Sequence, residues 1–199
     1  IPVRIDDSRL VDHDLGKIEF TDPSGAERTE YFIINTSIGV TAFGNWVFNH
    51  PGRWLAFLKK WSTPLAIMHT ALRSLFQSEN ISCRIDWDDH PIIKDVTNLN
   101  ILKLPYVSGS FRYDQQIEPD DGTLLMNICH DMGMFRKIQA LYLLGNGRLS
   151  ACRDVISERI RQVRISAGKP ILLECDGETF QATNISISLL PKAIKVVKN

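Results

Sequence analysis

The sequence predicts a mainly β fold with some helix (α+β): a two-sheet antiparallel β-sandwich carrying a few peripheral helices. Three observations predict it. Short runs rich in β-branched and aromatic residues recur along the chain, each bounded by turn formers. Apolar residues with helical period occupy only two regions. Strands and helices do not alternate, which argues against a parallel dinucleotide-binding unit.

The first strands are predicted at 15–20 and 31–36, on either side of the turn sequence Asp22-Pro23-Ser24-Gly25. Between 51 and 78 the apolar residues Trp54, Phe57, Leu58 and Trp61, then Leu65, Met68, Leu72 and Leu75, recur every three or four positions. Pro64 splits that region into two helices, with Thr63 as N-cap and Pro64 at the first helical position. Strands follow at 82–87, 99–104 and 123–129. A helix is predicted over 132–144, started by Asp131 and stopped by Gly145. The remaining strands are predicted at 162–166, 171–175, 185–190 and 193–197. No repeat or long linker interrupts them, so residues 1–199 read as a single domain.

The chain has 23 Lys and Arg against 23 Asp and Glu, a formal net charge of zero. That balance offers no basic footprint for a nucleic acid. The longest apolar runs are too short to span a bilayer. Cys83, Cys129, Cys152 and Cys175 are far apart without a Cys-x-x-Cys pair, which fits free buried thiols in a reducing compartment. The five histidines lack metal-ligand spacing. Gly145-Asn146-Gly147 follows a helix rather than a strand, and so fails the phosphate-loop pattern.

Three segments carry candidate chemistry. Asp176-Gly177 is a tight hairpin turn, and Glu178 stands at the root of the returning strand. Its carboxylate is either a base for a hydroxyl proton or a solvated turn residue. Asp120-Asp121-Gly122 is either a turn or a site for a hard cation such as Mg²⁺, built from one carboxylate, backbone carbonyls and waters. The helix around Trp54, Phe57 and Trp61, with Arg53, Lys59 and Lys60, either packs on a sheet or touches a membrane or lipid.

The order of Glu118-Pro119-Asp120-Asp121-Gly122-Thr123, the helix after it, Arg161-Gln162-Val163-Arg164-Ile165 and Cys175-Asp176-Gly177-Glu178 resembles the C-terminal domain of the diacylglycerol kinase / sphingosine kinase family, nearest its bacterial soluble lipid kinases. Asp14-Leu15-Gly16-Lys17-Ile18, Tyr31-Phe32-Ile33-Ile34-Asn35, Ser37-Ile38-Gly39-Val40 and the closing Leu190-Pro191-Lys192-Ala193 agree with it. The resemblance implies a lipid-holding sandwich and a larger protein. An upstream α/β domain would grip ATP with a Gly-Gly-Asp-Gly-Thr loop that this chain lacks, so the chain alone would be catalytically incomplete. It makes Glu178 the general base, Asp121 the side-chain ligand of a structural Mg²⁺, and Glu118 and Thr123 the donors of backbone carbonyls to that ion. It also implies ATP and Mg²⁺ as cofactors, a lipid substrate, and a cytoplasmic protein that meets a membrane surface transiently. An exposed edge strand could pair two copies into a homodimer. The family's Gly-Phe-Asp reads Gly39-Val40-Thr41 here, losing a carboxylate; its Gly-Gly-Gly run reads Ser108-Gly109-Ser110, and its small residue ahead of Asp-Asp-Gly is Gln116. The alternative is a lipid-binding or scaffold sandwich without catalysis.

Overall fold

β1 (Leu10–Thr21), β2 (Glu27–Phe32) and β3 (Asn35–Gly39) lead into three helices, α1 (Val40–Asn49), α2 (Arg53–Trp61) and α3 (Thr63–Gln77). β4 (Ile81–Trp87) and β5 (His90–Leu102) are followed by two short strands, β6 (Tyr106–Val107) and β7 (Phe111–Arg112). Then come β8 (Leu124–His130), α4 (Met134–Gly145), β9 (Val155–Ile160), β10 (Gln162–Ala167), β11 (Ile171–Cys175) and β12 (Glu178–Val197). This computed structural model describes residues 10–88, 90–107 and 111–197. The segment Ser108-Gly109-Ser110 lies outside the described residues.

The mainly β composition with a few helices holds, but the two-sheet sandwich does not. Ten strands form one antiparallel sheet that closes on itself through β10-β4-β5-β3-β11-β12, with β12 returning to β10. β1 and β2 extend it beyond β12, and β8 and β9 extend it beyond β5. Two long strands cause the closure. β12 runs for 20 residues and pairs with β11, then with β10, while β1 covers most of its other edge. Asn184 and Lys192, both at positive φ, mark the kinks that let it turn. β5 likewise passes from β4 to β3 along its 13 residues. Sharing both strands fuses what would otherwise be two sheets.

Alternation fills the interior: Ile18 and Phe20, Leu99 and Ile101, Met126 and Ile128, and Ile185 and Ile187 point into one buried cluster. β8 is buried on both faces. Its other face, Leu125 and Cys129, packs in a second cluster with Tyr113, Met132 and Ala140 of the α4 region. All four cysteines are free and buried. Gly16 has no room for a side chain, because a Cβ there would stand 2.0 Å from the Phe32 ring on the neighbouring strand.

Local differences from the sequence reading have local causes. The single strand expected at 31–36 is broken at Ile33 and Ile34. There the Asp176 carboxylate accepts the N–H groups of Ile33, Ile34 and Asn35 at 2.7, 3.0 and 2.9 Å, in place of a ladder partner. Helix α3 is capped by Ser62 rather than Thr63, through the Leu65 N–H at 3.5 Å. Asp131 does not cap α4; it sits at positive φ and pairs with His130 and Lys94. The strands expected at 185–190 and 193–197 are one strand, carried past Pro191 by the kink at Lys192.

Candidate functional site

Three features bear on the candidate chemistry: a hairpin, an acidic loop and an apolar chamber. At the hairpin between β11 and β12, Asp176 and Gly177 both take positive φ, 44° and 96°, the signature of a type I′ turn. Glu178 begins β12 opposite Cys175 and is exposed. The turn beneath it is rigid. The Asp176 carboxylate is committed to its three backbone donors, and the Gly177 carbonyl accepts from Asn49 Nδ2 at 2.8 Å, at the end of α1. The Gly177 N–H donates to Glu174 Oε1 at 2.7 Å. Glu174 is 1% exposed, and its other oxygen accepts from Ser37 Oγ at 2.6 Å and Asn35 Nδ2 at 2.9 Å. Burial pushes its carboxyl up to about 7, against the pull of those donors.

The acidic loop joins Glu118, Asp121 and Thr123 by hydrogen bonds. Asp121 Oδ1 accepts from the Thr123 N–H at 3.0 Å, and Oδ2 from the Glu118 N–H at 3.2 Å. The Glu118 carbonyl accepts weakly from the Asp121 N–H at 3.4 Å. The oxygens that would hold a metal are already taken, however. Lys103 Nζ lies 2.7 Å from Asp121 Oδ1, 2.9 Å from the Thr123 carbonyl and 3.1 Å from Asp14 Oδ2. Arg159 reaches the other Asp121 oxygen at 3.0 Å and the Gln116 carbonyl at 2.5 Å. Burial raises the Asp121 carboxyl, but Lys103 and the two backbone donors outweigh it and hold it well below the usual range. Asp14 behaves alike: burial raises it, while the Lys192 N–H, Lys103 and the Gly122 N–H together pull it below its ordinary value. The residues present therefore do not fit a divalent ion at this position. Among the described residues no group of three His, Cys, Asp or Glu side chains could hold one elsewhere.

The third feature is a cavity of about 370 Å³ between α1, α3, α4 and the sheet. Its walls are mostly apolar, including Phe48, Ile67, Leu75, Met132 and Leu141, with Thr41 and Asn98 among the few polar groups. Lys137 also lines it, its ammonium turned to the Ser78 carbonyl at 2.8 Å; burial lowers its pKa. Glu178 is not among the lining residues. Outside the cavity, α2 buries Leu55 and turns Trp54, Phe57 and Trp61 outward, Trp54 stacked on Phe57 and Phe57 tilted against Trp61, with ring centroids 5.8 and 5.7 Å apart. Phe135 on α4 is 89% exposed. No helix among the described residues is long and apolar enough to cross a membrane.

Sequence reasoning missed Lys103, Asp14, Arg159 and Glu174. Lys103 carried a signal. It continues the alternation of Leu99 and Ile101, which puts a lysine in phase with core residues.

Comparison with known proteins agrees with the fold. A protein assigned as a diacylglycerol kinase from Bacillus anthracis str. Sterne superposes with a TM-score of 0.68 at 17% identity, over 96% of this chain and 59% of that one. A diacylglycerol kinase structure from the same organism gives 0.62 at 13% identity, over 96% and 55%. Yeast NADH kinase complexed with NADH gives 0.51 at 10% identity, over 96% and 45%. The chain thus spans little more than half the length of the diacylglycerol kinase structures it matches. None of the curated proteins compared matches it. The family model described as the YegS C-terminal NAD kinase beta sandwich-like domain matches residues 52–198, a span that contains Lys103, the acidic loop and Glu178, and the chain belongs to that family.

Proposed function

We propose that this chain is the lipid-holding part of an ATP-dependent kinase that phosphorylates a lipid hydroxyl of diacylglycerol type. The observation that carries the reading is the apolar chamber walled by α1, together with the anchoring of the Glu178 turn to the end of that same helix through Asn49. A chamber of that size and character suits acyl chain rather than a polar metabolite. The exposed Trp54, Phe57 and Trp61 would rest in the interface of the membrane that supplies the lipid.

ATP, carried with its Mg²⁺ by a nucleotide-gripping domain outside this chain, supplies the phosphoryl group. Phosphoryl transfer asks the protein mainly for positioning and charge stabilisation. Glu178 accepts the proton of the lipid hydroxyl as the oxygen attacks. A type I′ turn held by four contacts fixes the backbone from which that carboxylate projects. Glu178→Gln in the whole enzyme should keep the fold and the bound lipid, and lower the rate of lipid phosphorylation by about 10²–10⁴-fold. Wild-type turnover in the variant, measured with radiolabelled ATP, would remove the base assignment.

A second reading, a lipid-binding domain without catalysis, is favoured by Gly39-Val40-Thr41, where the carboxylate of the related kinases is missing. On that reading lipid co-purifies, but the whole protein transfers no phosphate to it.

A further inference from the structure

We infer that the Lys103 ammonium is a built-in replacement for the structural divalent ion, so that the 118–123 loop of this protein is held without metal. An ammonium has three N–H donors and no acceptor. Lys103 is 0% exposed, and it has one oxygen for each donor: Asp121 Oδ1, the Thr123 carbonyl and Asp14 Oδ2. Two of those are the oxygens a metal in this loop would need.

The charges close as well. Asp14 and Asp121 bring two negative charges, and Lys103 and Arg159 bring two positive ones, in contact. Adding a divalent cation would leave a net charge of two around Lys103 and Asp14, which are buried, and unpaired charge beside buried groups is unfavourable. It would also displace a fully buried lysine from its three oxygens. The remaining lone pairs are committed too. Asp14 Oδ1 accepts from the Lys192 N–H at 2.9 Å and Asp14 Oδ2 from the Gly122 N–H at 2.9 Å. The Asp14 N–H donates to the Pro119 carbonyl at 2.9 Å. Lys103 therefore ties the loop to the end of β5, and Asp14 ties it to β1 and β12. A structural metal does the same work by cross-linking chain segments through oxygen.

The full chain is dialysed against millimolar magnesium, passed through a desalting column and assayed for metal by mass spectrometry, and its melting is followed in magnesium and in EDTA. No retained magnesium and equal Tm values in the two buffers are expected. One equivalent of retained magnesium, or a Tm that falls in EDTA, overturns the inference. Lys103→Ala removes the ammonium and leaves both carboxylates facing a void. It should melt several degrees below wild type in EDTA and recover part of that loss in magnesium. A Lys103→Ala protein as stable as wild type in EDTA, or unmoved by magnesium, overturns the equivalence of ammonium and ion. Should that variant not fold, Lys103→Met keeps the stem volume and is read the same way. None of these readouts depends on kinase activity or on lipid.

Discussion

Glu174 shows how a single residue near the site couples pH to the fold. Its carboxyl moves from an ordinary 4.5 up to about 7, first because burial disfavours the charged form. The folded state therefore keeps a proton that the unfolded chain releases, and between those values it binds more protons than the unfolded state. The stabilisation is complete below 4.5 and is lost as pH rises through 7. At about 1.4 kcal/mol per pKa unit, the loss by pH 8 is on the order of 3 kcal/mol. Thermal melts of the wild type should fall between pH 5 and pH 8, and Glu174→Gln should flatten the profile. Superimposable profiles would show that the carboxyl titrates normally. Glu174 went unnoticed in the sequence because it alternates with the core residues Leu173 and Cys175, the phase expected to face water. Glu178 was legible because Asp-Gly fixes its own turn locally. Lys103 and Asp14 meet the acidic loop only through tertiary contact, and no local pattern joins them.

Among the elements, those with strong local signals were legible and those made by packing were not. The period of α2 and α3 and the break near Pro64 came from the sequence within a residue. Helix α1 did not, since Val40-Thr41-Ala42-Phe43-Gly44 has poor helix propensity and its N-cap Gly39 offers no side chain. Tertiary contact makes it. α1 packs on α3 and on β3 and β11, with Gly44 close to Ser74 at the crossing. Gly39 permits the entry, at φ 85° and with no space for a Cβ, which would stand 2.3 Å from the Thr97 carbonyl. β9 was missed because Val155-Ile156-Ser157-Glu158-Arg159-Ile160 is half polar and gains its strand only by pairing with β8. α2 packs on helices rather than on the sheet: Leu55 lies inward with Val47 and Ala66 of α1 and α3, and the aromatic residues face out. Trp54 and Trp61, 62% and 79% exposed, are costly to leave in water. The Trp54→Ala/Trp61→Ala protein should sediment several-fold less with vesicles containing anionic lipid, at unchanged Tm. Equal sedimentation would detach α2 from any membrane role.

For the molecule as a whole, sheet closure separates two interiors. The ring of strands is filled by its own aliphatic side chains, including Ile18, Ile38, Leu99, Ile165 and Leu173, and leaves its lumen to packing. The cavity lies instead outside the sheet, under α1, α3 and α4. The family resemblance implied lipid inside a sandwich, and the strand pattern did not show which long strands would be shared. With the sheet closed, the helices are what build a chamber, and the site depends on α1, the helix that local signals did not give. Occupancy of that chamber can be tested apart from chemistry. Ala71 lines it from α3. Ala71→Trp should block part of the 370 Å³ without touching the hairpin or the acidic loop. Solvent extracts of the purified wild type and of Glu178→Gln should contain the same acyl lipid by mass spectrometry, and extracts of Ala71→Trp should contain at least several-fold less. Equal lipid in all three proteins would place the lipid elsewhere, and with it the hydroxyl that Glu178 is proposed to deprotonate.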